Sequence, residues 1–175
     1  MNWELLYLHE LQNFSNPVID KLMIFLSTLG NAGVIWILLA IVLLITKRYR
    51  RTGSQMIVAM MITFVIGNLI LKNVIHRPRP YVIDPTLIPR VVKPLEYSFP
   101  SGHTMNGVTS ALTMYFGDKR IGIPALMLAV LIAFSRIYNL VHFPTDVIGG
   151  IVIGACSAIF VQWLMNRKGR TCYER

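Results

Sequence analysis

Three basic residues and one predicted helix start contain the donors that a phosphate group needs. Arginine binds phosphate oxygens through planar, bidentate N–H groups and lysine supplies a compact charge, so Lys72, Arg79 and Arg136 are candidate phosphate ligands. Ser101-Gly102 favours a helix start, because serine caps helices well and glycine lets an anion approach the backbone closely. The free N–H groups of such a start face an anion. The sequence therefore predicts an anion site.

Two histidines and an aspartate add the groups that could cleave a phosphate ester. Histidine can attack phosphorus covalently, and a second histidine can protonate the leaving oxygen. His142 and Asp146 are four residues apart, and Pro144 between them is typical of a first helical position. A carboxylate near the attacking ring fixes its tautomer. We therefore expect His142 to be the nucleophile, Asp146 to orient it and His103 to be the general acid.

The histidines also allow a second interpretation, a metal site formed by His76, His103 and His142. Their spacing is irregular, and the cations that bind phosphate would repel a metal ion placed beside them. We therefore expect neither a metal ion nor another cofactor.

The composition indicates a membrane protein. Hydrophobic residues make up 54% of the 175 residues and charged residues only 14%, against about 25% in a soluble domain. A helix of about 20 apolar residues crosses a bilayer core of about 30 Å. We predict one all-α domain over residues 1–175, a polytopic integral membrane helical bundle with a candidate span at 18–29 and an interfacial helix within 1–17. Five further spans follow the uncharged runs near 33–46, 52–71, 104–117, 121–135 and 147–166.

The distribution of charge predicts the orientation of these spans. The net charge is +9, with basic clusters at 47–51, 119–120 and 167–175, and basic residues of short loops stay in the cytoplasm. The loop 76–102 and the site residues then face the outside, and the C-terminus is cytoplasmic; the side of the N-terminus stays open. Ionisable residues at this depth are usually functional. No stretch is typical of a nucleic-acid-binding helix, so the expected partners are the bilayer and a membrane substrate.

The order of the motifs resembles that of the type-2 phosphatidic acid phosphatase superfamily. The order is Lys, six residues, Arg-Pro; then Pro-Ser-Gly-His; then Ser-Arg, five residues, His, three residues, Asp. The resemblance implies an enzyme that works without a metal and forms a phosphohistidine on His142, with His103 as the acid and Asp146 as the orienting group. It implies phosphoryl binding by Lys72, Arg79, Ser101, Gly102 and Arg136.

A site at the outer membrane boundary favours a lipid substrate, because the phosphate then lies in water and the tail in lipid. We expect a multi-pass cell-membrane phosphatase for undecaprenyl diphosphate, phosphatidylglycerol phosphate or phosphatidic acid. One alternative is a phosphoryl transferase that uses the same site. The other is a non-catalytic membrane transport or interaction protein, which would be expected to have lost one of His103, Arg136, His142 or Asp146, yet all four are present.

Overall fold

The computed structural model describes residues 3–171, with side chains up to residue 165, and every regular element in this range is helical. The predicted all-α class is therefore confirmed for this range, whereas the whole C-terminal basic cluster lies outside the described side chains. A 3-10 turn occupies Asn31–Gly33, another occupies Lys47–Tyr49, and a π-helical segment, Val65–Leu71, joins α4 to α5. The helices are α1 Trp3–Asn13, α2 Pro17–Leu29, α3 Val34–Ile45, α4 Arg50–Phe64, α5 Lys72–Ile75, α6 Pro80–Ile83, α7 Gly102–Gly117, α8 Lys119–Tyr138 and α9 Pro144–Thr171.

Three helical stretches of the described chain are long and apolar enough to cross a membrane. They are Lys47–Ile83, Lys119–Tyr138 and Pro144–Met165. α2 and the stretch Asn31–Ile45 pass the same test as a pair bent by 45°. α7 has 16 residues, fewer than the about 20 that a bilayer core requires. A membrane protein with three or four such stretches is therefore supported, and the further spans remain predictions.

The bend between α2 and α3 lies where two glycines interrupt a long apolar run. α2 ends at Leu29, and the turn that follows contains Ala32 and Gly33, with φ angles of 51° and 68°. These values lie in the left-handed region, which glycine adopts without a steric penalty. The turn approaches α7 closely, since a Cβ on Gly30 would lie 2.7 Å from Cδ2 of His103. A bend in the apolar run thus brings the backbone to a predicted site residue.

α7 is the central helix of the bundle and packs against α4, α8 and α9. One side of it contributes Ala111 to an apolar core that contains the fully buried Trp36 and Ile132. Another side is buried but polar, and its hydroxyls are paired: Thr109 Oγ1 lies 2.8 Å from Thr63 Oγ1 and donates to a carbonyl of α9 at 3.2 Å. Buried hydroxyls paired in this way avoid the cost of an unsatisfied polar group.

Two glycines let α9 approach α7 to backbone contact. A Cβ on Gly154 would lie 2.7 Å from the carbonyl oxygen of Met105, and one on Gly150 would lie 3.0 Å from that of Ser101. Small residues four apart allow this packing between membrane helices. The N–H of Ser101 also donates to the carbonyl of Asp146 at 3.1 Å. The close approach therefore fixes the start of α7, with His103, beside the start of α9.

The outward faces of α3, α8 and α9 expose large apolar side chains. Leu38, Val130 and Val152 are all more than half exposed. Apolar surface of this extent is typical of a face that contacts a membrane, so these faces agree with the composition.

We predict that Gly154→Leu destabilises the protein by about 1–3 kcal/mol, because the new side chain must push α9 away from α7. Thermal unfolding in detergent measures the effect. Cys156→Leu is the matched control, since Cys156 lies on the exposed face of the same helix. Equal melting temperatures for the two variants would contradict the packing argument.

Candidate active site

A cavity of about 1310 Å³ opens beside the first turn of α7. Ser101 and Asp146 are completely buried and do not line it. The structure thus gathers predicted site residues from three distant segments around one cavity, and Ser101 and Asp146 lie behind its wall. Six of the eight predicted site residues line the cavity: Lys72, Arg79, Gly102, His103, Arg136 and His142.

His142 and Asp146 face each other across the start of α9. Nδ1 of His142 lies 3.4 Å from Oδ2 of Asp146. The same oxygen accepts from the N–H of Phe143 at 2.8 Å and from the hydroxyl of Ser98 at 2.5 Å. Pro144 is the first residue of α9, as its position predicted. Leu140, two residues before His142, has a φ of 60°, a strained conformation of the kind often found at functional sites.

The surroundings of His142 fix its tautomer and its charge. Nη1 of Arg79 lies 3.2 Å from Nε2 of His142, and arginine only donates, so Nε2 is the acceptor and the ring proton lies on Nδ1. Burial lowers the pKa of His142 to about 3; the contact of its Nδ1 with the Asp146 carboxylate opposes this shift, and the charges of Arg79 and Arg136 add to it. At neutral pH the ring is therefore uncharged, with its lone pair on Nε2.

Arg79 is held by main-chain oxygens rather than by a carboxylate. It donates to the carbonyls of Glu96 at 2.7 Å, Val141 at 2.8 Å and Tyr97 at 3.5 Å. These contacts place a full positive charge next to His142 without neutralising it. Lys72 is paired differently, since its ammonium group donates to the side-chain carboxylate of Glu96.

Arg136 has a free donor on the cavity wall. One of its terminal nitrogens donates to the hydroxyl of Ser27 in α2. Its buried Nε has no hydrogen-bond partner among the described residues. A buried donor without an acceptor is unfavourable by about 1–3 kcal/mol. The hydrogen bonding of Arg136 is therefore incomplete in this structure, and its role as a phosphate ligand stays a prediction.

At the start of α7, one of the two residues of the predicted anion site faces the cavity and the other does not. A Cβ on Gly102 would meet only Oδ1 of Asn68, at 3.7 Å, so the cavity side of this residue is open. The hydroxyl of Ser101 accepts from Thr104 Oγ1 at 3.0 Å and does not cap the helix backbone. The structure therefore places Gly102, and not the Ser101 side chain, at the cavity surface.

His103 contacts the bend between α2 and α3. Its Nε2 lies 3.0 Å from Oδ1 of Asn31. Sequence reasoning treated 18–29 only as a candidate span and missed the contribution of Ser27 and Asn31. The signal was present, since Gly30-Asn31-Ala32-Gly33 is a polar, glycine-rich interruption of an apolar run.

Two further residues behind the site were also missed. Arg77 donates to Oδ1 of Asp146 at 2.6 Å, and Glu4 accepts from Arg77 at 2.6 Å. Arg77 belongs to the loop 76–102 that the charge pattern places outside, and Glu4 to the predicted interfacial helix within 1–17. No sequence signal links Glu4 to a partner 73 residues away.

The three-histidine metal interpretation finds no support in the geometry. His76 packs edge-on against the ring of Tyr97, with centroids 4.6 Å apart. Within the described range, no group of three or more His, Cys, Asp or Glu residues lies close enough together to hold a metal ion.

Comparison with known proteins identifies the family. The profile of the PAP2 superfamily matches residues 52–170, which include all eight predicted site residues. This chain belongs to the PAP2 superfamily. The predicted resemblance to type-2 phosphatidic acid phosphatases, enzymes that hydrolyse lipid phosphates in membranes, is thereby confirmed.

Similar proteins are named as phosphatases of membrane lipids. An undecaprenyl-diphosphatase of Sulfolobus acidocaldarius is 36% identical over 85% of this chain and 72% of its own length. Undecaprenyl-diphosphatase BcrC of Bacillus subtilis is 31% identical over 95% of this chain and 83% of its own. The crystal structure of Aquifex aeolicus LpxE superposes with a TM-score of 0.81 at 30% identity, covering 93% of this chain and 96% of that one.

We predict that Glu96→Gln lowers KM for a phosphate substrate about two- to fivefold and leaves kcat unchanged. The Lys72 ammonium holds the pKa of the Glu96 carboxyl below its usual range, so the carboxylate is charged at neutral pH and competes with phosphate for Lys72. The effect is small because the Glu96 side chain is 70% exposed.

Steady-state kinetics of purified enzyme measure this change. Asp84→Asn is the matched control, because Asp84 is a carboxylate of the same loop that binds Thr86 and His9 instead. An unchanged KM in Glu96→Gln would show that Glu96 does not compete with the substrate.

Proposed function

We propose that this protein hydrolyses a lipid phosphate or diphosphate at the extracytoplasmic face of the cell membrane through a phosphohistidine on His142. The observation that supports this most directly is the environment of that ring. Its Nδ1 faces Asp146 at 3.4 Å, and its Nε2 accepts from Arg79 on the wall of a cavity that Lys72 and Arg136 also line.

The proposed reaction has two steps. Nε2 of His142 attacks phosphorus, the bond from phosphorus to the lipid oxygen breaks, and His103 gives its proton to that oxygen. Water then attacks the phosphohistidine, the phosphorus–nitrogen bond breaks, a proton returns to His103 and inorganic phosphate leaves. Lys72, Arg79 and Arg136 stabilise the charge that spreads over the phosphoryl oxygens in both transition states.

The shape and lining of the cavity favour a lipid over a soluble ester. Its volume of about 1310 Å³ exceeds the space that a phosphate fills. Ile24, Phe64 and Leu69 line it on the side of α2 and the π-helical segment, and Phe64 and Leu69 are about half exposed on the outer surface. A phosphate held by the cations would therefore leave its tail beside apolar surface. Undecaprenyl diphosphate, phosphatidylglycerol phosphate and phosphatidic acid all satisfy this description.

The proposal includes the arrangement of the chain in the membrane. Residues 1–175 form one domain, with five spans and a sixth if α2 crosses, and with α1 at the outer interface when α2 spans only part of the bilayer. The site faces outside and the C-terminus lies in the cytoplasm. The basic turn Lys47–Tyr49 and the α7–α8 junction at Asp118 support this, since Arg48 and Tyr49 both contact Asp118 there, at the end of the bundle opposite His103.

We predict that the purified protein in detergent releases phosphate from one of these three lipids with EDTA present, and that His142→Ala releases none. A soluble phosphate ester is the fourth substrate of the panel. Thermal unfolding of His142→Ala controls for loss of fold. Wild-type turnover in His142→Ala would overturn the phosphohistidine, and activity lost in EDTA and restored by metal would overturn the metal-free mechanism.

Two other results of this panel would replace the proposal. Phosphate release that requires a second lipid as acceptor indicates the phosphoryl transferase. Binding of the lipids with no release under any condition indicates a non-catalytic membrane protein.

We predict that a cysteine at Ile88, a residue 72% exposed in the outer loop, reacts in intact cells with a maleimide that cannot cross membranes. A cysteine at Lys47 should react only after the cells are opened. Cys156 and Cys172 are first replaced by alanine. Labelling of the two positions in the reverse order would invert the proposed orientation.

A further inference from the structure

Arg77 lies directly behind the residues that contact the cavity. Its Nη1 donates to Oδ1 of Asp146 and to Oγ1 of Thr145, both at 2.6 Å. Its guanidinium also lies 4.2 Å from the centroid of the Phe143 ring. Arg77 does not line the cavity, so it cannot bind the substrate phosphate as Arg79 does.

The main chain of Arg77 supports the same carboxylate from a second direction. Its carbonyl accepts from the N–H of Ser98 at 2.8 Å, and the hydroxyl of Ser98 donates to Oδ2 of Asp146. Each oxygen of Asp146 therefore has a donor that depends on Arg77, and Oδ2 has a second donor in the N–H of Phe143. This fixes the plane of the carboxylate that faces Nδ1 of His142.

Glu4 of α1 holds Arg77 in this position. Oε2 of Glu4 accepts from Nη2 of Arg77 at 2.6 Å, and Oε1 accepts from the Thr145 hydroxyl at 2.6 Å and the Thr145 N–H at 3.2 Å. Glu4 is only 4% exposed, so this carboxylate is buried in the contact. A buried carboxylate requires partners of this kind to offset its lost hydration.

We propose that Arg77, held by Glu4 of the N-terminal helix, is a positioning residue that orients Asp146 and limits the negative charge that Asp146 presents to His142. The inference rests on the proposed function, because it assigns a task to the pair of His142 and Asp146. It gives α1 a part in catalysis that an interfacial anchor would not have.

The proposal predicts opposite effects for the two charges. Removing the cation of Arg77 leaves Asp146 a stronger partner for a charged imidazole, so the pKa of His142 should rise by about one unit. Removing the negative charge of Glu4 leaves the positive charge of Arg77 less compensated, so the pKa of His142 should fall slightly. The other charged or titratable groups that face His142 are Asp146, Arg79, Arg136 and His103, and they are the same in every variant.

The first measurement is the pH titration of the His142 ring by NMR in detergent. The chain has four histidines, and His142→Gln assigns the signal in protein labelled with carbon-13 histidine. In Arg77→Met the His142 ring should begin to protonate about one pH unit above its wild-type value, and in Arg77→Lys it should titrate as in the wild type. In Glu4→Gln the ring should titrate at no higher pH than in the wild type. Circular dichroism over the same range defines the pH interval in which each variant is folded.

The second measurement is steady-state kinetics on the lipid that the wild type hydrolyses. Arg77→Met should lower kcat about tenfold or more, because a misplaced catalytic group is costly, with KM within about twofold since Arg77 does not contact substrate. Arg77→Lys should recover part of kcat. His9→Ala is the matched control, because His9 ties α1 to Asp84 at 2.9 Å without contact to Asp146, and it should behave as wild type.

Three results would overturn the proposal. The first is a His142 ring that titrates in Arg77→Met as it does in the wild type. The second is a loss of kcat in His9→Ala as large as that in Arg77→Met, and the third is a rise in KM of Arg77→Met with kcat unchanged. The titration needs no turnover, so it tests Arg77 even if the protein proves not to be a hydrolase. Loss of the proposed function would instead be seen in the lipid panel, where wild type and His142→Ala would not differ.

Discussion

A charged group loses its hydration when it is buried, and this chain buries three cations and a carboxylate around one cavity. Each charge needs partners that compensate it without occupying the face that substrate must use. Arg79 obtains carbonyl oxygens from the outer loop and from the turn before α9, and Asp146 obtains donors on both oxygens. Regular helices cannot supply such groups, because their backbone polar atoms are already paired. The irregular loop 84–101 and the strained turn at Leu140 follow from this requirement.

The positive charges of the three cations are compensated by different kinds of partner, and the difference affects how each could bind an anion. Arg79 is fixed by neutral oxygens and keeps its full charge, whereas Lys72 is paired with an exposed carboxylate that substrate can displace. Arg136 has one hydroxyl partner and an unpaired Nε in the described structure. In the proposed function, phosphate would therefore meet a fixed donor set at Arg79, a donor at Lys72 that must first leave Glu96, and an incompletely paired donor set at Arg136. Preorganised donors of the first kind stabilise a transition state without having to move.

Much of the site could be predicted from the sequence because its spacing encodes local geometry. Ser101-Gly102 and Pro144 are strong signals for helix starts, so His103 and the His142–Asp146 pair could be placed at two helix N-termini. The convergence of these starts depends on the Gly150–Gly154 contact, which single-sequence patterns do not reveal. Arg77 was predicted only as one of the basic residues of the loop 76–102. It is two residues from Arg79, and only tertiary structure shows that Arg79 lines the cavity and Arg77 lies behind it.

The first part of the chain was the least predictable and contributes more than the motifs indicate. The family profile begins at residue 52, yet Glu4, Ser27 and Asn31 each contact a group of the site or its support. The partners in these three contacts are 72 to 109 residues away in sequence. No periodicity links positions so distant, since helical patterns report only neighbours three or four residues apart. The run 104–117 was visibly shorter than a full span in the sequence, whereas the central, polar packing of α7 could not be predicted from it.

The outer loop is fastened to the bundle through Lys72 and Arg79, two cations that bind phosphate in the proposed function. The carboxylate of Glu96 accepts from the ammonium of Lys72, and the carbonyls of Glu96 and Tyr97 accept from Arg79. Occupation of the site and order of the loop are therefore thermodynamically linked, and linkage is reciprocal. If bound phosphate shifts the loop equilibrium towards the released form by a given factor, then a molecule that binds only the fastened loop weakens phosphate binding by the same factor. In the proposed orientation, such a molecule could act from outside the cell without access to the cavity.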